Sequence, residues 1–336
     1  MTRSPRHWLW SVLGSAAAVM VAAALLTWSH PLPQEPLRLS LGTGGEGGVY
    51  HAYGAGLAQV SDGLDHVEIV THTTAASVEN NRLVSSGAMD AAFTLADVAA
   101  LAVSGEAPFS EPLPIRAIAR LYDNHTHVVV RADSPYEELG DLEGATVSLG
   151  ASGSGTEMIA ERLLDLIGLE QASGDAGPAG DGEVTAVRLS IERSARALRD
   201  GSVDAFVWSG GLPTRAVADL AGQTPIRLLD LSEHVPALVD AHGGYFSELP
   251  VPSGTYPGVP AVRTIGVPSL LVVSERMPHD VAQDLTALLF ESRSDLAETH
   301  PVALQLHPRS AIATLPVPLH SGAADYYRSV KYAYDP

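Results

Sequence analysis

The chain has no cysteine. Disulfides, lipid-modified cysteine, thiolate catalysis and zinc–thiolate sites are excluded, so an exported domain of this sequence rests on its hydrophobic core. Positive charge is scarce too: 20 Lys and Arg stand against 39 Asp and Glu, for a formal net charge of -19. Such a chain repels nucleic-acid phosphates and anionic lipid headgroups, which argues against both as partners. Tandem repeats at solenoid periods are missing as well. What is there is a globular composition, 46% hydrophobic and 18% charged over 336 residues. That length suffices for two domains of ordinary size.

Residues 1–36 read as separate from the fold. Arg3 and Arg6 form a positive start, and Trp8 to Trp28 then runs without a charged residue. About 21 residues make a helix of about 32 Å, which spans a hydrocarbon core. The run continues through Leu25, Leu26 and Trp28, beyond a small-residue cleavage site at Ala22-Ala23-Ala24. This favours an uncleaved N-terminal anchor over a signal peptide, although both export the rest of the chain. The stretch His30 to Pro36 is a proline-rich spacer.

From Leu37 onward, short β-like runs alternate with amphipathic helical patterns, which predicts an α/β architecture. Strands are expected at 37–41, 67–71, 91–94, 115–122, 127–131, 146–150, 183–189, 205–208, 226–229 and 264–273. Helices are expected at 49–60, 77–86, 96–103, 156–167, 192–200, 213–221, 233–242, 278–297 and 322–330. A Gly/Ala/Pro stretch at 174–182 lacks apolar periodicity and reads as a surface insertion. The runs beginning at His127 and Ser269 share a shape, an apolar strand ending in a polar turn. Two such strands linking two α/β lobes would form a two-strand hinge.

Four segments share one device: a strand, a small-residue turn and a helix start. They are Gly42–Tyr50, Thr73–Asn80, Ser148–Thr156 and Val207–Thr214. The free N–H groups and the dipole of a helix N-terminus favour an anion. Open α/β sheets collect such turns outside the carboxyl ends of their strands. Four together point to one anion-binding cleft. Within the second segment, Ser77 with Asn80 or Glu79 is suited to capping a helix start.

Two other readings of these turns fail. GTGGEG at 42–47 fits G-x-G-x-x-G, but the next strand ends in Thr71-His72-Thr73-Thr74 where a dinucleotide site needs an acid, and a Walker lysine is missing. The Gly150–Gly155 turn resembles a nucleophile elbow but has Ser154 where glycine is required. His125 and His127 share one side of a strand without a metal-spaced partner, and read as structural or surface residues. No nucleophile–base pair or cofactor motif stands out, so a non-enzyme without a cofactor is expected.

A specific likeness lies in an ordered set of segments. They include GTGGEGGVYHAYGAGLA (42–58), SVENNRLVSSGAMDAAF (77–93), HVVVRADSPYEELGDLEGATVSLGASGSGTE (127–157), ALRDGSVDAFVWSGGLPT (197–214), PSGTYPGV (252–259) and GVPSLLVVSERMP (266–278). Along nearly the whole exported part the chain resembles the TAXI family, the solute-binding subunits of one class of TRAP transporters. The resemblance implies an extracytoplasmic (periplasmic) receptor with a two-lobe, type II periplasmic-binding-protein fold. Lobe 1 would hold residues 37–128 and 265–336, and lobe 2 residues 129–264. It implies closure on a small carboxylate, glutamate- or 2-oxoglutarate-like, and delivery to permease subunits driven by an ion gradient. Carried over by position, the ligand residues are Thr43, Gly44, Gly45, Tyr50, Ser77, Asn80, Ser152, Gly153, Ser154, Gly155, Thr156, Gly210, Gly211 and Thr214, with Tyr256 as a closing aromatic. The sequence departs from the family at Glu46, which would oppose an anion unless turned outward, and at Thr94-Leu95-Ala96, which is less polar than usual. The rival functions are a membrane-anchored ligand sensor and a serine hydrolase.

Overall fold

The structure is a computed structural model that describes residues 36–62, 64, 67–173 and 180–332. The expected N-terminal anchor lies outside these residues, as does most of the 174–182 insertion. Among the described residues no helix is long and apolar enough to cross a membrane.

Among the described residues, eleven strands form one hydrogen-bonded sheet: β1 Leu37–Gly42, β2 Val67–His72, β3 Ala91–Leu95, β4 Ile115–Arg131, β5 Thr146–Ser148, β6 Glu170–Ser173, β7 Glu183–Val187, β8 Ala205–Gly210, β9 Ile226–Leu228, β10 Ser247–Val251 and β11 Val262–Ser274. The helices are α1 Val49–Ser61, α2 Ser77–Ser86, α3 Ala96–Ser104, α4 Gly155–Ile167, α5 Ile191–Asp200, α6 Arg215–Ala221, α7 Val235–His242, α8 His279–Glu291, α9 Arg293–Thr299, α10 Pro308–Ala311 and α11 Ser321–Tyr332.

The strand order is β2-β1-β3-β11-β4-β8-β5-β7-β6, with β10 on β11 and β9 on β4. At one end, β2, β1 and β3 pair in parallel; at the other, β8, β5, β7 and β6 do. Every pairing of β11 and β4, the two strands between these ends, is antiparallel. Each end is therefore a βαβ-type unit, as the alternating pattern requires. The antiparallel pair β4–β11 joins them. The architecture is α/β and two-lobed, with long crossing strands in the middle.

The 115–122 and 127–131 runs are one 17-residue strand, not two. Asp123-Asn124-His125-Thr126 breaks the apolar pattern, but the β11 and β8 partners supply its ladder. The helix expected at 278–297 divides at Ser292. The helix expected from 213 begins at Arg215, with Thr214 as its N-cap.

One core cluster draws only on residues 39–122 and 271–327, and another only on Val129 and residues 191–259. The largest cluster takes residues from both regions, such as Val78 and Leu95 with Ala205 and Val207, and adds Leu149 and Ile159. Side chains of the two ends thus pack directly against each other on one side of the molecule.

Candidate ligand cavity

The turns β1–α1, β2–α2, β5–α4 and β7–α5 all deliver residues to one cavity. Gly44, Gly45 and Gly48 come from the first, Thr74, Ala75 and Ala76 from the second, Ala151 and Ser154 from the third, and Ser190 from the fourth. The end of β8 adds Trp208, Ser209 and Gly210, and the crossing strand β4 adds Tyr122 and Asn124. The cavity holds about 60 Å³. One water fills about 10–15 Å³ on this measure, so the space suits a few waters or a compact ligand.

Helices α1 and α4 begin at this wall, with Val49, Tyr50, Gly155 and Thr156 lining it. The N–H groups of a first helical turn have no intrahelical acceptor and point outward from the helix end. The positive ends of two dipoles thus meet at one small space. Among the described residues, no Lys, Arg, His, Asp or Glu lines the wall. Ala76, also on the wall, is the one non-glycine residue with positive φ among the described residues, at 88°. Strain of this kind gathers at ligand sites.

The protein's own carboxylates occupy the outer N–H groups of three turns. Glu79 accepts from the Ala75 N–H at 2.5 Å, and Glu157 from the Gly153 N–H at 2.7 Å. Glu192, from the opposite half of the molecule, accepts from the Gly47 N–H. Glu46 is exposed and lies away from the wall, so it does not oppose an anion there.

Of the residues expected to bind ligand, Gly44, Gly45, Tyr50, Ser77, Ser154, Gly155, Thr156 and Gly210 line the cavity. Several of their side chains are already engaged. Ser154 Oγ caps α4 by accepting from Glu157 N–H, Thr156 Oγ1 accepts from Ser209 N–H at 3.2 Å, and Ser77 Oγ accepts from Leu95 N–H. Ser77 therefore does not cap α2, whose N-cap is Ala76.

The other expected residues stand behind or outside the wall. Asn80 donates to the Thr43 and Phe93 carbonyls at 2.8 and 2.7 Å and accepts from Thr74 Oγ1, which ties β1, α2 and β3 together. Thr43 Oγ1 donates to the His72 carbonyl. Ser152 is exposed, and the Gly153 carbonyl accepts from the N–H groups of Val78 and Glu79. Gly211 packs closely: a Cβ there would stand 2.8 Å from Val302 and 3.0 Å from Tyr122. Thr214 Oγ1 accepts from Trp208 Nε1 at 2.8 Å and so positions a wall residue.

Tyr256 is not brought to the cavity. It is fully buried among Val129, Phe206 and Val217, and its hydroxyl bonds to His127 Nε2 at 2.8 Å and accepts from Thr214 N–H at 3.2 Å. Burial raises its pKa to about 12, and burial together with His125 lowers that of His127 to about 3, so both are neutral. The buried histidine and threonine give the ring a polar partner inside the protein, which removes any need for it to face the cleft.

Sequence reasoning missed Tyr122, Asn124, Trp208, Ser190 and Ile191 on the wall. Ser190 and Ile191 carried a signal, since they repeat the strand–turn–helix device after β7. Tyr122 and Asn124 carried none, because they lie within a strand.

Among solved structures, XAC2383 from Xanthomonas citri bound to chloride ion is 16% identical with a TM-score of 0.50, covering 88% of this chain and 99% of that one. An ancestral arginine-binding protein bound to arginine is 13% identical with a TM-score of 0.48, covering 81% and 99%. The periplasmic aliphatic sulphonate binding protein SsuA from Escherichia coli is 14% identical with a TM-score of 0.46, covering 88% and 83%. Identities this low speak to fold alone, and the chain shares the fold of XAC2383. The family assignment comes from the sequence: a model of the NMT1-like family matches residues 41–330. That span runs from the end of β1 to the last helix and takes in all four cavity turns, so the chain belongs to the NMT1-like family.

Proposed function

We propose that this protein is an extracytoplasmic solute-binding receptor of the TAXI type, which holds a small carboxylate in the cavity and hands it to ion-gradient-driven TRAP permease subunits. The observation that carries this is the convergence of α1 and α4 on a cavity whose wall has no ionised side chain. A carboxylate there meets aligned N–H groups and two dipole ends without a competing charge. Each dipole contributes about 0.3–1 kcal/mol at an exposed site and about 2 kcal/mol when partly buried. We assign the lobes as residues 37–128 with 265–336, and 129–264. The two core clusters confined to either side of residues 122–129 support this division.

Titration calorimetry with glutamate, 2-oxoglutarate and glutarate, against the neutral diamide of glutarate, tests the carboxylate. At least one acid should bind, and the diamide at least ten-fold more weakly, which corresponds to about 1.4 kcal/mol. Equal binding of acid and diamide would sink the anion reading. Uptake in membrane vesicles tests the transport step: it should collapse when an ionophore dissipates the ion gradient and persist when ATP is depleted.

A further inference from the structure

We propose that Tyr122 is a specificity-determining residue that reads the far end of the ligand, donating a hydrogen bond to a second oxygen acceptor such as a distal carboxylate. This inference rests on the carboxylate reading above, which places the first carboxylate at the helix starts.

Tyr122 lines the cavity, is 2% exposed, and has a buried hydroxyl with no hydrogen-bond partner. A buried hydroxyl without a partner is costly and rare in folded proteins. The Tyr53 hydroxyl is also unpartnered, but its ring is not on the wall. Among the described residues, Tyr122 is therefore the residue on the wall that carries a buried side-chain polar atom without a partner.

The backbone shows how the ring comes to be there. Between the pairs Pro268↔Asp123 and Leu270↔Arg120, two β4 residues, Leu121 and Tyr122, stand opposite the single Ser269 of β11. A bulge re-aims side chains, and bulges are common beside functional sites. Leu121 and its neighbour Tyr122 both join the same core cluster instead of alternating across the sheet.

The surroundings are polar and already assigned. Tyr50 Oη bonds to Ser269 Oγ at 2.9 Å, and Asn124 Nδ2 also donates to Ser269 Oγ. Ser269 Oγ lies near enough to the Tyr122 hydroxyl to favour its ionised form, opposing burial, but is engaged by Tyr50 and Asn124 and forms no hydrogen bond of normal geometry with Tyr122. Burial pushes the Tyr122 hydroxyl well above the usual phenol range, so it remains a neutral donor. Its ring is held by stacking on Tyr53 at 6.2 Å and by an edge contact with Tyr50 at 6.4 Å. A fixed donor beside Asn124 suits an oxygen acceptor. With no acidic side chain on the wall, nothing there suits a distal cation.

The test compares Tyr122→Phe with the parent, using glutarate and pentanoate, two acids of equal chain length that differ by the distal carboxylate. In the parent, glutarate should bind more tightly. In the variant the glutarate-to-pentanoate affinity ratio should fall about ten-fold or more, as expected on losing a hydrogen bond to a charged group. The unliganded variant should melt no lower than the parent, because the deleted hydroxyl had no partner. An unchanged ratio overturns the inference and leaves the carboxylate reading intact. A fall in affinity for both acids with a lowered melting temperature also overturns it, since that marks a core role only. If the parent binds neither these acids nor the three of the preceding test, the carboxylate reading fails and takes this inference with it.

Discussion

At the residue scale, His127 sets a pH dependence. Its folded pKa is held near 3 by burial and by His125. In the unfolded chain the value returns to about 6.5. Between these values the unfolded state binds the extra proton, so stability falls as pH drops below about 6.5 and is fully present above it. From pH 7 to 5.5 the loss from this group is about 1 kcal/mol. Urea melts at the two pH values should show this drop, and His127→Gln should remove that part of it. An identical pH slope in the variant would mean that His127 is not held neutral. The same neighbourhood shows where the sequence was silent. Tyr256 stood out among glycines and invited a closing role at the cleft, yet His127 and Thr214 satisfy its hydroxyl inside a core cluster. Tyr122 stood in an ordinary apolar run, and only a one-residue mismatch with β11 brings it to the cavity. Periodicity does not encode that mismatch.

At the element scale, the strand–turn–helix signals were legible because glycine, serine and helical spacing act locally. The helix expected at 77–86 is α2 to the residue, and α1 and α5 extend their expected spans by one residue each. What the sequence did not carry is which helix start meets which. Of the expected fourth segment only the strand end, Trp208 to Gly210, reaches the cavity; the start of α6 does not, and the start of α5 contributes Ser190 and Ile191. The close seat of α4 depends on Gly155. A Cβ there would stand 2.5 Å from Leu95 Cδ1 and 2.7 Å from Ser77 Oγ, both on the other side of the cavity. Gly155→Ala should therefore cost about 1–3 kcal/mol through overpacking. Chemical denaturation measures the cost, and calorimetry should show weaker ligand binding. Wild-type affinity and stability in this variant would show that the two walls do not need this approach.

At the scale of the whole molecule, a few polar contacts clasp the two ends together. Arg162 of α4 pairs with Asp97 of α3, with Arg162 8% and Asp97 2% exposed, and its guanidinium lies 5.7 Å from the Phe246 ring centroid. His300 Nε2 meets the Pro213 carbonyl at 3.0 Å. Removing one member of a buried pair strands the other, which costs about 3–5 kcal/mol. Asp97→Ala should lower stability by that order. It should also raise the radius of gyration of the unliganded protein, if opening is what relieves Arg162. Stability is read by urea unfolding and size by small-angle scattering. A variant as stable and compact as the parent would show that the pair contributes little to the clasp. The crossing of the chain between two lobes was legible from the paired strand runs. The shared core that ties α2 and α3 to α4 was not, because nothing local records it.

The carboxylates of Glu79, Glu157 and Glu192, each occupying an N–H group at the cavity rim, bear on the speed of capture as well as on the fit. If the ligand is the proposed carboxylate, it approaches a body of net charge -19 through a rim of like charge. The long-range field slows its encounter, which inverts the usual steering of a substrate to its receptor. Added salt shortens the reach of that field to about 8 Å at physiological ionic strength. Association therefore quickens as ionic strength rises. Contacts made inside the closed wall are screened much less, and the residence time of the ligand stays nearly constant. A receptor built this way would gather an anionic solute faster in saltier surroundings.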